Sequence, residues 1–346
     1  MTPSHHTIFI TSPLELDLVE RLREVDPARV TVLHEPDLMP PLRYACDHGG
    51  DPTFKRDADQ ISRFRAAIAR ADILFDLPGA ADLAFAKKLR WVQTSSTGVG
   101  QKVAQLGLDT SDVIITTARG VHAGPLAEFV FMALLAHFRG LHHLAEEQRA
   151  RRWLRYCGPG VAGRTLVIVG AGDLARGCAR IAKALSMRVV AVARDTAKMR
   201  PHGLFDQVLP VTALHQALAM ADAVVVTVPH TAETAGMIGP AEFAAMPPGC
   251  AFVNIGRGTV IDERALIESL RRSHIGFAAL DVTAIEPLPA ESPLWDMKNV
   301  LISPHSASTV ATENAAITSI FCDNLRLYLD DRGSEMRNIL DKTLLY

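Results

Sequence analysis

The sequence predicts an α/β protein made of two doubly wound parallel-sheet domains. Its 346 residues are enough to bury a large core, most simply as two domains. Short β-rich runs alternate with segments of helical periodicity, which is typical of parallel strands joined by crossover helices. The strands of the second half are almost wholly apolar, as expected where helices cover both faces of a sheet.

The first strand-helix series opens the chain. Its predicted strands are 7–11, 30–33, 73–77 and 91–95, and its predicted helices are 14–25, 61–71 and 81–89. Between residues 36 and 56 the pattern gives way to Pro-Pro, Gly-Gly and Asp-Pro pairs, which predict a long loop. A loop of this length in a compact domain is often functional.

The second series begins near residue 166. Its predicted strands are 166–169, 189–193, 223–228, 251–255, 276–280 and 300–302. An apolar helix over 125–144 separates the two series, and the spacing of apolar residues predicts a further helix over 311–329. The chain is therefore expected to contain two α/β units in tandem.

Composition excludes several classes of protein. The balance of 36 basic and 38 acidic side chains does not suit a nucleic-acid binder, and the Arg151-Arg152 and Arg271-Arg272 pairs fall in stretches that read as solvated helix faces. No apolar run approaches the ~20 residues of a membrane span, and no signal peptide is predicted. The five widely spaced cysteines form no Cys-x-x-Cys pair, so we expect no disulfide framework, no metal site and a cytoplasmic location.

One glycine pattern predicts a nucleotide site. Gly170, Gly172 and Ala175 form a G-x-G-x-x-A motif that closes an apolar strand and opens a helix. The first glycine allows the tight turn, and the second allows the backbone to approach a pyrophosphate. Free N–H groups where the helix starts, near Asp173 and Leu174, favour phosphate. A bound dinucleotide is the expectation.

The end of the following strand bears on which dinucleotide is bound. An acidic residue there would bind the ribose 2′-hydroxyl of NAD, but this chain has Ala193, followed by Arg194 and Asp195. An arginine in this neighbourhood accommodates a 2′-phosphate, so Arg194 favours NADP. Asp195 would select NAD if its side chain turned inward.

Three later segments each follow a predicted strand with a residue suited to catalysis. They carry Arg257, Glu286 and His305, within Asn254-Ile-Gly-Arg-Gly, Leu280-Asp-Val-Thr-Ala-Ile-Glu-Pro and Ile302-Ser-Pro-His-Ser. Open α/β sheets bind ligands at the carboxyl ends of their strands. Each segment alone is a weak signal, and the three together indicate a site.

In this order after the glycine motif, the segments resemble the D-isomer-specific 2-hydroxyacid dehydrogenase family. The resemblance runs from about residue 89 to residue 309 and includes Ser96-Thr97-Gly98-Val99, which resembles the substrate-carboxylate loop of the family. It also includes Val228-Pro229-His-Thr-x-x-Thr234. Thr117 and Gly100 depart from the family pattern, where Asn and Asp are common.

The resemblance implies a Rossmann nucleotide domain, residues 127–305, inserted into a flavodoxin-like substrate domain, residues 1–126 and 306–346, with a cleft between them. It implies that Asp281 faces the nicotinamide, that Thr97, Gly98 and Val99 bind the substrate carboxylate, and that the 125–144 helix forms half of a homodimer interface. The alternative for that helix is a buried core position. The implied cofactor contacts are Gly170, Gly172, Asp173, Leu174, Arg194, Val228, Pro229, Thr234, Ile255, Gly256, Arg257, Asp281 and His305.

The chemistry of a 2-keto acid reductase agrees with these residues. Hydride must reach the carbonyl carbon and a proton must reach its oxygen, for which histidine is well suited. His305 is the expected general acid and base, and Glu286 would orient the imidazole and favour its protonated form. Arg257 would bind the keto oxygen and carboxylate.

Other functions remain open at this stage. The same fold could serve phosphoglycerate, formate or phosphite oxidation, or a nucleotide-sensing corepressor without turnover. Glyoxylate and hydroxypyruvate are the first substrates to consider, on family frequency alone. We expect specificity to come from the 36–56 loop, with Arg43 and Tyr44 as candidates.

Overall fold

The structure is a computed structural model that describes residues 4–196 and 203–345. Residues 1–3, 197–202 and 346 of the predicted domains lie outside the described residues. The chain divides into two compact units, Met1–Val121 with Thr309–Tyr346, and His122–Ser308. The division of roles between a substrate domain and a nucleotide domain, with limits at 126 and 306, stays a prediction.

The first unit is built on a parallel sheet with helices on both faces. In its described part the strand order is β2-β1-β3-β4-β5. Ile8 and Ile10 pack on one face with Phe321 of the C-terminal helix, while Phe9 packs on the other face with Phe64. Its elements are β1 (His6–Ile10), α1 (Leu16–Arg23), β2 (Val30–Leu33), α2 (Ala58–Arg70), β3 (Ile73–Phe75), α3 (Ala80–Leu83), β4 (Trp91–Gln93), α4 (Gly100–Gln105), β5 (Ile114–Thr116) and α11 (Glu313–Leu329).

The second unit has the same architecture on a larger scale. Its described part contains the strand order β12-β11-β10-β9-β6-β7-β8, all parallel. Helices again cover both faces. Its elements are α5 (Ala123–Phe138), α6 (Leu141–Arg149), β6 (Thr165–Val169), α7 (Asp173–Ala184), β7 (Arg188–Ala193), β8 (Gln207–Pro210), α8 (Leu214–Leu218), β9 (Ala223–Val226), α9 (Pro240–Ala245), β10 (Cys250–Asn254), α10 (Glu263–Arg271), β11 (Ile275–Leu280) and β12 (Val300–Ile302).

The prediction of two doubly wound parallel-sheet domains is confirmed, but several elements differ in detail. Two short edge strands, β5 and β8, were not predicted. The helix predicted over 81–89 is the single turn α3. The predicted range 125–144 is mostly helical, but the prediction of one continuous helix is wrong. The helices α5 and α6 are separate and are divided at Gly140, whose φ of 66° is left-handed.

The arginine pair at residues 151–152 also lies outside a helix. Helix α6 ends at Arg149, and Arg152 turns back to form an ion pair with Glu147. The 36–56 loop contains one short 3-10 helix, Pro36–Leu38, as its regular structure, in agreement with the prediction. Within the described residues, none of the helices has the length and apolarity that crossing a membrane requires.

Candidate active site

Strand β6 passes into α7 through a turn shaped by glycine. Gly170 has a φ of 119°, and a Cβ at this position would overlap the Thr227 hydroxyl. Gly172 precedes the first turn of α7 without a side-chain cap, and a Cβ on it would face open space. Asp173 and Leu174 open the helix, and the N–H groups of a first helical turn favour an anion. These residues fit the diphosphate of a dinucleotide.

Arg194 lies just after β7, where the adenosine ribose is expected. Ala193 is buried at the strand end, and the Arg194 side chain is 57% exposed, with Nη1 3.4 Å from Glu233 Oε2. An exposed ion pair of this length contributes little stability. The guanidinium could therefore exchange Glu233 for a phosphate, and the preference for NADP stays a prediction.

The turn after β9 is held by hydrogen bonds between its own residues. Thr234 Oγ1 donates to Pro229 O at 2.6 Å, and the Thr231 N–H donates to Thr234 Oγ1 at 2.8 Å. Thr234 thus shapes the loop that carries Val228 and Pro229. A Cβ on Gly256 would lie 2.6 Å from Val228 O, so a glycine is needed for the ends of β9 and β10 to approach. Ile255, next to it, is buried.

Asn254 holds the loop that carries Arg257. Its buried side chain accepts from the Gly256 N–H at 3.1 Å and donates through Nδ2 to Arg257 O at 3.1 Å. The Arg257 side chain is half-buried, and its Nη1 donates to Gly256 O at 2.7 Å. Sequence reasoning gave Asn254 no role, although its fixed spacing from Arg257 was a usable signal.

Two opposing effects act on the pKa of Arg257. Burial lowers the pKa of Arg257 from its usual value, and the negative charges of Glu286 and Asp281 oppose that shift. The guanidinium therefore lies within the electrostatic influence of both predicted acidic groups. A planar cation in this setting is suited to binding a carboxylate and a carbonyl oxygen.

The Arg257 loop contacts the segment that carries Glu286. A Cβ on Gly258 would overlap the Thr283 carbonyl, so only glycine permits this approach. The Thr283 N–H donates to Glu286 Oε1 at 3.1 Å, which uses one oxygen of that carboxylate. Glu263 of α10 accepts from the Ala284 N–H at 2.9 Å and anchors the same segment.

The second oxygen of Glu286 meets His305. His305 Nδ1 donates to Glu286 Oε2 at 2.7 Å, and the two side chains are 44% and 38% exposed. Among residues 4–196 and 203–345, no group forms a hydrogen bond to His305 Nε2. The structure thus brings together the predicted histidine and carboxylate and leaves the outer ring nitrogen able to exchange a proton with a ligand.

Asp281 organises the loop around His305. Its buried Oδ1 accepts from Ser303 Oγ at 2.7 Å and from the N–H groups of Ser306 and Ala307, each at 2.9 Å. The His305 N–H donates to Asp281 O at 2.9 Å, and His305 has a φ of 53°. This bonding, which sequence reasoning missed, holds the histidine in a left-handed backbone conformation.

The predicted carboxylate loop lies in the first unit, between β4 and α4. Thr97 and Gly98 are accessible, whereas Val99 is buried. The residues just before this loop are fixed by hydrogen bonds. Ser95 Oγ donates to Asp76 Oδ2 at 2.6 Å, and Thr94 Oγ1 donates to Ser96 O at 2.8 Å.

Both departures from the family pattern contact the C-terminal segment. A Cβ on Gly100 would overlap the Leu345 carbonyl, so the aspartate common in the family would not fit. The Thr117 N–H donates to Asn338 O at 3.0 Å, and Asn338 Nδ2 donates to Thr117 O at 3.1 Å. These two positions are therefore explained by packing within the first unit.

Arg43, the charged candidate from the 36–56 loop, is paired within that loop. Arg43 Nε lies 2.7 Å from Asp47 Oδ2 and Arg43 Nη2 lies 2.9 Å from Asp47 Oδ1. Asp47 is buried, and this guanidinium holds the pKa of its carboxyl well below the usual range. Arg43 is thus neutralised, and its guanidinium lies 5.3 Å from the Tyr44 ring centroid. Neither residue offers an unpaired charge to a substrate.

Comparison with known proteins places this site in a family. Residues 131–307 match the model of the D-isomer specific 2-hydroxyacid dehydrogenase, NAD binding domain. The chain is 35% identical to (S)-sulfolactate dehydrogenase of Chromohalobacter salexigens over 225 residues, 64% of this chain and 72% of that protein. It is 34% identical to glyoxylate/hydroxypyruvate reductase B of an Enterobacter species over 248 residues, 69% of this chain and 74% of that protein.

A solved structure agrees over nearly the whole length. The D-isomer specific 2-hydroxyacid dehydrogenase of Xanthobacter autotrophicus, in complex with NADPH and MES, is similar with a TM-score of 0.77 and 28% identity, and the similarity covers 99% of this chain and 100% of that one. Among the described residues, no three His, Cys, Asp or Glu side chains gather as a metal site would require. The chain therefore belongs to the D-isomer specific 2-hydroxyacid dehydrogenase family and is an oxidoreductase that uses NAD or NADP.

Proposed function

We propose that this protein reduces a small 2-keto acid to the D-2-hydroxy acid with NADPH or NADH. The observation that carries the proposal is the Glu286–His305 contact of 2.7 Å beside the half-buried Arg257. A carboxylate, an imidazole with an available nitrogen and a desolvated guanidinium are the groups that carbonyl reduction requires.

His305 supplies the proton in this scheme. In the imidazolium form Nδ1–H stays with Glu286, and Nε2–H is transferred to the carbonyl oxygen while hydride adds to the carbonyl carbon. The neutral histidine then recovers a proton from solvent, to which the side chain is open. Glu286 stabilises the charged ring, and its other oxygen is fixed by the Thr283 N–H, so the orientation of the pair is set by the backbone.

Arg257 binds the substrate and polarises it. Its guanidinium would bridge the keto oxygen and one carboxylate oxygen, and partial burial strengthens both interactions. The N–H groups of Thr97, Gly98 and Val99 would bind the remaining carboxylate oxygen. Arg257 thus aligns the carbonyl and stabilises the negative charge that develops on its oxygen.

The bound dinucleotide supplies the hydride. The turn at Gly170 and Gly172 would hold its diphosphate, and the loops at Val228–Pro229 and Ile255–Gly256 would support its nicotinamide half. Asp281 would face the ring as the family resemblance implies, while its Oδ1 holds the His305 loop. Arg194, near the 2′-position, supports NADPH as the preferred reductant.

The names of the relatives include substrates that differ in the group beyond the reacting carbon, from glyoxylate to sulfolactate. Glyoxylate and hydroxypyruvate are the first substrates to assay, each with NADPH and NADH, by the loss of nicotinamide absorbance. We expect turnover of a 2-keto acid, with the higher kcat/KM for NADPH. Tight nucleotide binding without turnover of any 2-keto acid would favour a sensor, and a marked preference for NADH would reject the role of Arg194.

We further propose that the protein is a homodimer. Helix α6 and the segment after it expose a group of large apolar side chains, of which Trp153 is 96% exposed and Leu154 64%. An exposed apolar group of this kind is costly in a monomer and typical of a protein contact. Gel filtration with light scattering should give twice the mass of one chain, and Trp153→Ser with Leu154→Ser should lower that mass. A single-chain mass for the wild type rejects the dimer.

A cytoplasmic location is also part of the proposal. All five cysteines are free thiols, and four of them are buried. Burial raises the pKa of both Cys178 and Cys250 to about 12, which keeps them protonated and unreactive. Cell fractionation that found the protein outside the cytoplasm would overturn this part.

A further inference from the structure

A cavity in the first unit lies at the carboxyl edge of its sheet. It has a volume of about 340 Å³ and is formed by the residues that follow β1 and β3 together with the 36–56 loop. Its lining combines polar and charged side chains with apolar ones, Pro40, Phe54, Leu77 and Pro78 among the latter. A concavity of this size in which polar groups converge is large enough to hold a small polar group of a ligand.

Arg56 is the distinctive charge in this cavity. Its Nε donates to Leu38 O at 2.6 Å, and its guanidinium lies 3.7 Å from the Phe64 ring centroid. Of the described carboxylates, none lies within 4.0 Å of this guanidinium. Its side chain is partly buried, and burial lowers its pKa more than the charge of Asp82 raises it.

Other arginines of the same region are paired. Arg43 is paired with Asp47, Arg63 with Glu35 and Asp37, and Arg65 with Asp82. Removing a cation from water without a counter-ion costs free energy, which a bound anion would recover. Arg56 therefore differs from these arginines, because its partly buried charge would be stabilised by an anionic ligand.

The other charged groups of the cavity have partners. Asp82 accepts from Arg65 Nε at 2.9 Å, and Asp51 accepts from the Thr53 N–H and hydroxyl. His48 Nε2 lies 3.2 Å from the buried Glu313 carboxylate. These contacts leave Arg56 as the group positioned to bind an anion.

Asp76 connects the cavity to the proposed carboxylate loop. It follows β3 with a φ of 73°, and its carboxylate accepts from Ser95 Oγ below the loop and from the Leu77 N–H in the cavity wall. Thr11, another lining residue, donates to Asp76 O at 2.9 Å. Asp76 thus joins the residues beneath the proposed carboxylate loop to the wall of this cavity within the same unit.

We propose that the cavity is a subsite for a second anionic group of the substrate, bound by Arg56. The preferred substrates are then 2-keto acids whose far end carries a carboxylate, sulfonate or phosphate, and glyoxylate is a minimal substrate that leaves the subsite empty. This inference rests on the proposed reductase activity and narrows its substrate class.

The test compares matched substrates in the wild type, Arg56→Gln and the control Arg63→Gln. Hydroxypyruvate represents the neutral far end, and oxaloacetate, 3-sulfopyruvate and phosphohydroxypyruvate represent the three oxyanions. We expect wild-type kcat/KM to be at least about tenfold higher for one oxyanion than for hydroxypyruvate. Arg56→Gln should reduce that ratio roughly 10- to 100-fold, the loss typical of a charged hydrogen bond, mainly through KM.

Arg63→Gln, which removes a paired arginine outside the cavity, should preserve the ratio. A wild type that prefers hydroxypyruvate over all three oxyanions overturns the subsite, as does an Arg56→Gln variant whose losses are equal for all substrates. Thermal unfolding of both variants checks that the fold is intact.

A binding measurement separates this inference from the proposed function. Calorimetry compares succinate and 3-sulfopropionate with butyrate, which has the same carboxylate but a neutral far end. Stronger binding of the dianions that depends on Arg56 supports the subsite even if no 2-keto acid is reduced, in which case the proposed function alone fails. Turnover of 2-keto acids together with equal binding of all three probes rejects the subsite alone.

Discussion

Histidine–glutamate pairs occur in both units, and two of them, His305–Glu286 in the second unit and His48–Glu313 in the first, are built differently. In the second unit His305 contacts Glu286 at 2.7 Å, and the side chains are 44% and 38% exposed. In the first unit His48 contacts Glu313 at 3.2 Å, and the side chains are 21% and 5% exposed. The bonded nitrogen also differs: Nδ1 in His305 and Nε2 in His48.

This difference separates a reactive pair from a structural one. His305 is anchored through the nitrogen near its backbone and presents Nε2 outward. His48 uses its outer nitrogen to satisfy a buried carboxylate, and its Nδ1 is buried without a hydrogen-bond partner among the described residues. Proton transfer to a ligand needs a nitrogen that the ligand can reach, so of these two pairs His305–Glu286 is the one suited to it.

The largest expected effect comes from His305→Ala. Loss of a general acid should lower kcat by about 100-fold or more, because His305 is the proton donor to the keto oxygen in the proposed mechanism. Steady-state kinetics with NADPH and the best 2-keto acid measure this change. Near-normal turnover would place the proton donor elsewhere and would remove the functional contrast between the two pairs.

Glu286→Gln should have the next largest effect. The amide can still meet His305 but carries no charge to stabilise the imidazolium, so we expect kcat to fall roughly tenfold or more. The pH dependence of kcat should also change, which a merely structural role for Glu286 would not produce. An unchanged profile with an unchanged kcat would assign Glu286 to the fold, like Glu313.

Ser303→Ala tests whether the Asp281 network positions His305. The variant removes one of the three hydrogen bonds to Asp281 Oδ1 and leaves the two from backbone N–H groups, so kcat should fall roughly 2- to 10-fold. KM for the nucleotide should stay constant, and Ser303→Thr, which keeps the hydroxyl, should restore kcat. Equal losses in both variants would show that packing around residue 303 matters and not the bond.

His48→Ala should have the smallest effect on kcat, below about threefold with glyoxylate, because His48 donates no proton in the reaction. Its effect should be on stability: the variant leaves the buried Glu313 carboxylate without this partner and should lower the free energy of unfolding by about 1–3 kcal/mol. Denaturant unfolding measures this loss. A kcat decrease as large as that of His305→Ala would contradict the distinction between the pairs.

The second unit was the easier of the two to predict from sequence. Its glycine turn, Arg257, Glu286 and His305 each follow an apolar strand, so each could be placed at a strand end from sequence. The pairing of Glu286 with His305 follows from that shared edge. The hydrogen bonds of Asn254 and Asp281 could not be predicted, because they depend on distances between loops that are far apart in sequence.

The first unit was predicted less completely. The edge strand β5 was not predicted, and the 36–56 loop has no regular pattern from which its contacts follow. Arg43 and Arg56 are both arginines of that loop, and which one is neutralised depends on where Asp47 lies in the fold. Sequence alone therefore could not show that Arg43 is paired with Asp47, and the role of the loop in specificity stays a prediction.

The backbone conformation of His305 affects which substitution can test the role of its imidazole. A φ of 53° is a region that asparagine, aspartate and histidine enter more readily than alanine does. Exchange for alanine therefore alters the loop's conformational preference as well as removing the imidazole. Asparagine, which tolerates the same backbone but transfers no proton, would separate the two contributions and leave the surrounding loop as it is.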